Sequence, residues 1–366
     1  MIDSRRVLLL TCLLLSSFGW ASTAAADIWI SQDEIKSLPM SGSAWSALKA
    51  RADQDAGIPN LSDPDETNDV NVLAKALVYA RTGIESYRTD VRRNCMAAIN
   101  TEVGGPTLGL ARNLPGYVIS AELVRLEPSE DEVFRTWLRR TLSEIGSDGR
   151  SLRSMHEERP NNYGAHAGAS RAAVAVYLGD AHELKRTAQV FRGWLGDRSS
   201  YAGFKYGNLS WQCDVTKPVA IDPKGGIKDG VPLDGALPEE MRRGGTFQWP
   251  PLKGDAVNYT WEAVQGAVVQ AEILHRQGYD TWNWQNQALL RVATFLFTLD
   301  QKFGGWWATG DDAWSPWLLN SAYGTSFPQT LPTRPGKNMG YTDWTHAYRA
   351  PDNTPPGTIG DLHPRR

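Results

Sequence analysis

Hydrophobic positions recur at helical spacing along most of this chain, and no stretch shows the alternation typical of a half-buried strand. Four segments each contain an apolar run followed by a more amphipathic one, with a turn signal between the two. They are Val72 to Ile99 with its turn at Thr82-Gly83, Tyr117 to Ile145 at Glu127-Pro128, Ala165 to Leu195 at Gly179-Asp180, and Trp261 to Leu299 at Gly278-Tyr279. The pattern predicts four helical hairpins.

Successive helical hairpins either stack into an open solenoid or close into an α/α toroid. The four units differ in length and share no repeat consensus, which favours the toroid. Two segments, 201–254 and 304 to the C terminus, are irregular and contain many glycines, prolines and tryptophans. Long irregular segments inside a compact domain are commonly functional. We therefore predict an all-α fold, an incomplete α/α toroid whose long loops form an active-site cleft.

The first 26 residues have the features of a secretory signal peptide. Arg5 and Arg6 precede the apolar run Val7 to Leu15, and small residues end at Ala26. We expect cleavage after Ala26 and a periplasmic or secreted protein. The remainder predicts one toroid domain over residues 27–350 and a loosely ordered tail over 351–366.

Composition restricts the classes of partner. The net charge is −3, with 38 basic and 41 acidic residues, so no overall field favours nucleic acid or an anionic membrane. Ten of the 15 tryptophans lie at Trp211 or later. Indole rings both stack on sugars and fill cores, and the sequence leaves both roles open. We expect a monomer that binds an acidic polysaccharide, with neither a nucleic-acid nor a membrane partner.

Cysteines and metal motifs give little support to other chemistry. Cys95 and Cys213 remain after signal removal and would be either a disulfide or two buried thiols. The chain has no His-Glu-x-x-His, no paired-cysteine site and no phosphate-binding glycine loop. Asp63, Asp65 and Asp69 lack the full calcium-loop spacing. We expect activity without a metal or an organic cofactor.

Two blocks place amides, an imidazole, guanidinium groups and a phenol at predicted helix starts. The first is Arg159-Pro-Asn-Asn-Tyr-Gly-Ala-His166, and the second is Leu237-Pro-Glu-Glu-Met-Arg-Arg243 followed by Asn258-Tyr259-Thr-Trp-Glu262. These groups suit the neutralisation of a carboxylate and the transfer of one proton. The blocks resemble the alginate lyase superfamily of uronate-polysaccharide lyases.

The resemblance implies β-elimination in a β-1,4-linked uronate polymer. Such an enzyme removes the proton at C5, next to a carboxylate, and expels the oxygen at C4. Donors must neutralise the carboxylate and stabilise the enolate-like intermediate, while another group moves the proton. In β-mannuronate and β-glucuronate the C5 proton and the C4 oxygen lie on the same side, so one residue can serve as base and acid. Mannuronate-type alginate and glucuronan both fit.

By resemblance, Asn162 is the candidate neutraliser, and Tyr259 is the candidate base and acid. A phenol has a pKa of about 10 in water and needs a nearby cation to act as a base. Arg243 is the preferred cation, with Arg242 left open. In the best-known family pattern a catalytic histidine directly follows the asparagine pair, whereas here His166, one helical turn after Asn162, is the catalytic candidate that would replace it. The alternatives are an N-cap role for Asn162, a packing role for His166 and a structural role for Tyr259.

Further residues are candidates for substrate binding because they fall in matching blocks or in the loop-rich segments. They are Arg112, Asn113, Tyr117, Asn161, Arg242, Trp249, Trp261 and Lys337. A helix cap or a loop anchor is the alternative for the first three.

Two other classes of function remain open at this level. A glycoside hydrolase on an α/α toroid would need two carboxylates across a cleft, and the candidates are Glu262, Asp311 and Asp312. A non-catalytic glycan-binding protein would keep the aromatic residues without needing His166 and Tyr259 together.

Overall fold

A computed structural model describes residues 27–347 of the chain. Within that range helix accounts for 57 % and strand for 1 % of the residues, which confirms the predicted all-α class. The predicted signal segment 1–26 and tail 351–366 lie outside the described residues. No helix between residues 27 and 347 is both long enough and apolar enough to cross a membrane.

The four predicted hairpins are present, and each predicted turn separates two helices. They are α3 (Asn68–Thr82) with α4 (Glu85–Ala98), α5 (Thr107–Val124) with α6 (Pro128–Thr141), α8 (Asn162–Leu178) with α9 (Ala181–Trp194), and α11 (Asp255–Arg276) with α12 (Trp284–Phe303). The shorter helices are α1 (Gln32–Ser37), α2 (Gly42–Ala52), α7 (Leu152–Glu158), α10 (Pro238–Met241), α13 (Ser315–Tyr323) and α14 (Thr342–Thr345). One antiparallel ribbon, β1 (Ile227–Lys228) and β2 (Val231–Pro232), lies in the long loop before α10.

The first helices of the four hairpins form the inner layer of an α/α toroid. α3, α5, α8 and α11 contact one another in that order. These helices are buried over most of their length, whereas α4, α6 and α9 bury one face and expose the other. The apolar run of each predicted hairpin is therefore the inner helix, and the amphipathic run is the outer one.

Neighbouring inner helices run in the same direction. A Cβ on Gly266 of α11 would lie 2.5 Å from the backbone of Ala165 and His166, and a Cβ on Gly168 would meet Gln270. Residue numbers thus rise together along α8 and α11. The chain rises in the same sense beside α5, where Gly109 lies against Leu61 in the loop before α3 and Gly116 lies against Asp69 of α3. The N-terminal parts of the inner helices consequently lie at the same end of the toroid.

Helix α5 begins ten residues earlier than the predicted hairpin, so Arg112 and Asn113 lie inside it, as Tyr117 does. The helix continues through Pro115, although proline has no amide hydrogen and removes one helical hydrogen bond. The carbonyl that Pro115 leaves free belongs to Ala111. It accepts hydrogen bonds from Ser170 Oγ at 2.7 Å and from Asn338 Nδ2 at 2.9 Å. Tertiary contacts therefore replace the lost helical bond.

A segment near the C terminus passes between the inner helices. The Lys337 amide donates to Gln265 of α11 at 2.7 Å, and the Asn338 amide donates to the Arg112 carbonyl of α5 at 3.2 Å. Gly340 packs against Val70 of α3. This segment thus joins α3, α5 and α11 at the end of the toroid where those helices begin.

The two cysteines of the described residues do not pair with each other. Cys95 is buried in α4 against the Tyr117 carbonyl, and Cys213 is half-buried in the long loop before β1. Of the two alternatives left open by the sequence, the structure has free thiols.

The α8–α11 contact gives a prediction for stability. Alanine is favoured over glycine inside a helix by roughly 1 kcal/mol, but the clash at position 266 is with backbone that cannot move aside. We expect Gly266→Ala to lower the free energy of unfolding by about 1–3 kcal/mol, as overpacking does, measured by urea denaturation. Ser321→Ala, at an exposed position of α13, is the control and should change it by less than about 0.5 kcal/mol. A Gly266→Ala protein as stable as wild type would contradict the close contact.

Candidate active site

Polar side chains from three inner helices meet where those helices begin. Arg112 of α5 donates to Glu262 Oε2 of α11, and His166 Nε2 of α8 lies 3.2 Å from the same oxygen. All three residues are buried, with His166 fully so. Burial alone would raise the pKa of Glu262, but the His166 hydrogen bond and the charges of His166 and Arg112 hold it below its ordinary value. The three helices are thus joined by one buried ion-pair network.

Asn338 fixes the tautomer of His166. Its Nδ2 donates to the carbonyls of Ala111 and Arg112 at 2.9 and 3.0 Å, so its Oδ1 faces the imidazole and accepts from Nδ1. Nε2 is then the nitrogen that titrates, beside Glu262. Burial lowers the pKa of His166. Because both ring nitrogens are engaged and the ring is fully buried, His166 serves here to hold the network together.

Two cations lie at the edge of this network. Lys337 Nζ is 3.2 Å from Asp65 Oδ1, and Arg112 Nη1 is 3.6 Å from the same oxygen. The Lys337 and Arg112 side chains are 10 % and 7 % exposed, whereas that of Asp65 is 80 % exposed. Arg112 and Asn113 also donate to the backbone carbonyls of Pro64 and Asp63. An exposed carboxylate therefore covers two recessed cations.

Asn162, the first residue of α8, is held by a glutamate from another segment. Glu240 of α10 accepts from the Asn162 backbone amide and, at 3.1 Å, from its Nδ2. The backbone amide is one of the groups that a helix start leaves without an internal partner. Asn161 occupies the N-cap position but makes no side-chain capping bond. Glu240 thus caps α8 and orients the Asn162 amide at the same time.

Arg243 lies over the ring of Tyr259. Its guanidinium carbon is 4.0 Å from the ring centroid, within the range of a cation–π contact. Arg242 instead pairs with Glu239 at 2.7 Å. Arg243 is exposed and Tyr259 is half-exposed, so solvent and substrate can reach them. Of the two arginines that the sequence left open, Arg243 is the one beside the tyrosine.

The Arg243–Tyr259 contact and the buried network around Glu262 lie on one face of α11. Tyr259, Glu262 and Gly266 follow at helical spacing, and Gly266 meets α8 beside His166. The Arg243 charge also acts on Glu240, lowering its pKa against the effect of burial. The structure thus brings Asn162 and Glu240 near Arg243 and Tyr259, with the buried network one turn farther along α11.

Other residues expected to bind substrate lie elsewhere or are enclosed. Tyr117 is in the core, with its hydroxyl buried and its pKa raised by burial. Trp261 is fully buried and donates to the Trp306 carbonyl at 2.9 Å, so it presents no exposed ring face. Trp249 is half-buried, with its ring edge-on to Phe303 at 5.7 Å.

Sequence reasoning missed the roles of Glu240 and Asn338. Glu240 stood in the quoted Leu-Pro-Glu-Glu motif, which was a usable signal. Asn338 had none, since it meets His166 across 172 positions of the chain.

A separate cavity of about 710 Å³ opens at the other end of α11, lined by Glu272, Arg276 and His346 among others. It lies about 20 Å along the helix from Tyr259, at 1.5 Å per residue. Its charged groups pair with one another, as in Arg276 with Glu34 at 2.9 Å and with Glu272 at 2.8 Å. We therefore place the candidate site at the beginning of the inner helices.

Comparison with known proteins gives one family match. The family model described as alginate lyase matches residues 109–200 and 222–302. The matched ranges contain Asn162, His166, Glu240, Arg243, Tyr259 and Glu262. No curated protein matches the chain.

The buried network gives a second stability prediction. Removing the Glu262 carboxylate leaves Arg112 and His166 buried without their partner, which typically lowers the free energy of unfolding by about 3–5 kcal/mol. We expect Glu262→Ala to show a loss of that size in urea denaturation. Lys36→Ala removes an exposed pair with Asp33 and should cost less than about 1 kcal/mol. Equal losses in the two variants would show that Glu262 is not holding buried charges.

Proposed function

Because this chain belongs to the alginate lyase superfamily and is, at the level of that family, a polysaccharide lyase, we propose that it cleaves a β-1,4-linked uronate polymer by β-elimination and leaves an unsaturated uronate end. The observation that carries the proposal is the Arg243–Tyr259 contact at 4.0 Å beside the Asn162–Glu240 pair. It places a cation and a reachable phenol next to an oriented amide at a helix start.

Asn162 neutralises the substrate carboxylate in this proposal. Its Nδ2 carries two hydrogens, and Glu240 accepts one of them. In this proposal the second binds the carboxylate at C6 of the sugar, so substrate binding must open a path to a side chain that is buried in this structure. The positive end of the α8 dipole lies at the same place and favours an anion. The donor and the dipole together stabilise the enolate-like intermediate that forms when the C5 proton leaves.

Tyr259 transfers the proton. As a phenolate it takes the C5 proton, the C4–oxygen bond breaks, and the resulting phenol gives its proton to the departing oxygen. The electron pair of the C5–H bond becomes the new C4–C5 double bond. Arg243, whose guanidinium lies over the ring, is the cation that this proposal pairs with Tyr259. His166, buried behind Glu262, contributes by fixing the network rather than by touching the sugar.

Arg112 and Lys337 bind a further carboxylate of the polymer. The Asp65 carboxylate lies close to both cations, and it is the same chemical group as the carboxylate of a uronate. Displacing it exchanges one carboxylate for another, so the local charge balance is kept.

Mannuronate-type alginate and glucuronan are the proposed substrates, because one tyrosine can serve both steps only when the C5 proton and the C4 oxygen share a face. We propose that the enzyme acts in the periplasm or outside the cell.

A panel of pure polymers tests the function. We expect polymannuronate or glucuronan to yield ends with the ultraviolet absorbance of an unsaturated uronate, and neutral β-1,4-glucan to yield none. Reducing ends without that absorbance would indicate a hydrolase that uses Glu262 with Asp311 or Asp312. Binding without new ends would indicate a glycan-binding protein.

Removal of the Tyr259 hydroxyl tests the mechanism. We expect Tyr259→Phe to lower kcat by roughly 10²–10⁴-fold, as the loss of a general acid–base group does, with little change in KM. Tyr279→Phe removes a phenol hydroxyl at the far end of α11 and serves as the control. A folded Tyr259→Phe protein that turns over at the wild-type rate would rule out this proton-transfer step.

A further inference from the structure

A buried carboxyl group lies directly behind the Asn162 amide. Glu240 and Asn162 are both fully buried, although 78 positions separate them in the chain. Glu240 Oε1 accepts two hydrogen bonds from Asn162, one from its backbone and one from its side chain. Every hydrogen bond found for the Glu240 carboxyl group within residues 27–347 thus comes from one residue.

The second oxygens of the same two groups have no partner. Among residues 27–347, neither Glu240 Oε2 nor Asn162 Oδ1 takes part in a hydrogen bond. Two buried acceptors without a donor are costly. A proton on Glu240 Oε2 would supply the missing donor, and Asn162 Oδ1 is the acceptor that lacks one. The carboxylic acid and the amide would then be joined by two hydrogen bonds. Burial raises the pKa of Glu240 to about 7, so this neutral acid is populated near neutral pH.

The charged neighbours of Glu240 are few. Arg243, from the turn after α10, favours the ionised form, and Glu239 opposes it. Glu239 is itself bound by Arg242 at 2.7 Å and by the Gly207 amide at 2.7 Å. From α11, Tyr259 presents its ring beneath Arg243. Ionised Glu240 therefore has Arg243 as its nearest opposite charge, and a bound substrate would compete for that arginine.

We propose that Glu240 is the positioning residue of the site and that it must be protonated when a uronate carboxylate binds to Asn162. The inference rests on the proposed function of Asn162. Ionised Glu240 would place a second negative charge one amide away from the substrate carboxylate. Protonated Glu240 carries no charge and would form hydrogen bonds with both Nδ2 and Oδ1 of Asn162. The second Nδ2 hydrogen is then left for the substrate.

Glutamine is the permanent counterpart of the protonated state, since its amide can donate where Oε2–H would. We expect wild-type kcat/KM to fall as pH rises through about 7, the pKa of Glu240. Glu240→Gln should lack that alkaline fall. Glu240→Ala should lose roughly ten- to hundredfold in kcat/KM at every pH, as expected when one hydrogen bond to a reacting group is lost.

Glu122 provides a matched control. It is another largely enclosed glutamate whose pKa is raised by burial to about 7, but it binds the Ile28 amide at 3.2 Å, away from the site. Glu122→Gln should keep the wild-type pH profile of kcat/KM. An alkaline fall in Glu240→Gln that equals the wild-type one would overturn the proposal, as would wild-type activity in Glu240→Ala.

A measurement without substrate separates this inference from the proposed function. Glu240 has its pKa raised from 4.5 to about 7 in the fold, so its contribution to stability is complete below pH 4.5 and is lost as pH rises to about 7. The glutamine of Glu240→Gln does not titrate, so this variant cannot lose that contribution to stability. The difference in Tm between Glu240→Gln and wild type should therefore grow between those pH values and then level off. A pH-independent difference would overturn protonation of Glu240, whereas a panel with no cleaved polymer would overturn the proposed function alone.

Discussion

The contact between α8 and α11 determines how Asn162 and His166 lie relative to Tyr259. The absence of a side chain at Gly266 lets the two backbones approach at Ala165 and His166. Asn162 then begins one helix close to where Tyr259 lies on the other. A larger residue at the crossing would push the helices apart. It would therefore separate the Asn162 amide on α8 from the Tyr259 phenol on α11. The close packing at Gly266 therefore also sets the separation between the groups that the proposed proton transfer requires.

The acidic side chains at the site are paired with cations. The whole chain carries a net charge of −3. At the site, however, Glu262 is bound by Arg112, Glu239 by Arg242 and Asp65 by Lys337. Arg243 stacks on Tyr259 instead. A polyanion approaching the toroid therefore meets paired carboxylates, an arginine directed at the phenol and the positive ends of helices. Overall composition could not reveal this, because the pairing is local.

Local pattern was sufficient for most of the fold. The four turns are marked by glycine or proline, and helical spacing identified both helices of each hairpin. The start of α5 was wrong because the carbonyl freed by Pro115 is satisfied from α8 and from Asn338, which lie far away in sequence. The toroid is confirmed, whereas the roles of Asn162, His166, Arg243 and Tyr259 remain predictions. Motif resemblance identified those residues, but only the fold separates Arg243 from Arg242 and brings Glu240 behind Asn162.

Asn338 has a consequence for how the protein acquires its site. It holds the His166 imidazole and the carbonyls of Ala111 and Arg112, 172 to 227 positions earlier in the chain. During synthesis all the inner helices leave the ribosome before this residue does. The helices can therefore pack while the histidine still lacks its acceptor. A chain cut short before Asn338 would keep all four inner helices yet lack the side chain that accepts from His166 and joins it to α5.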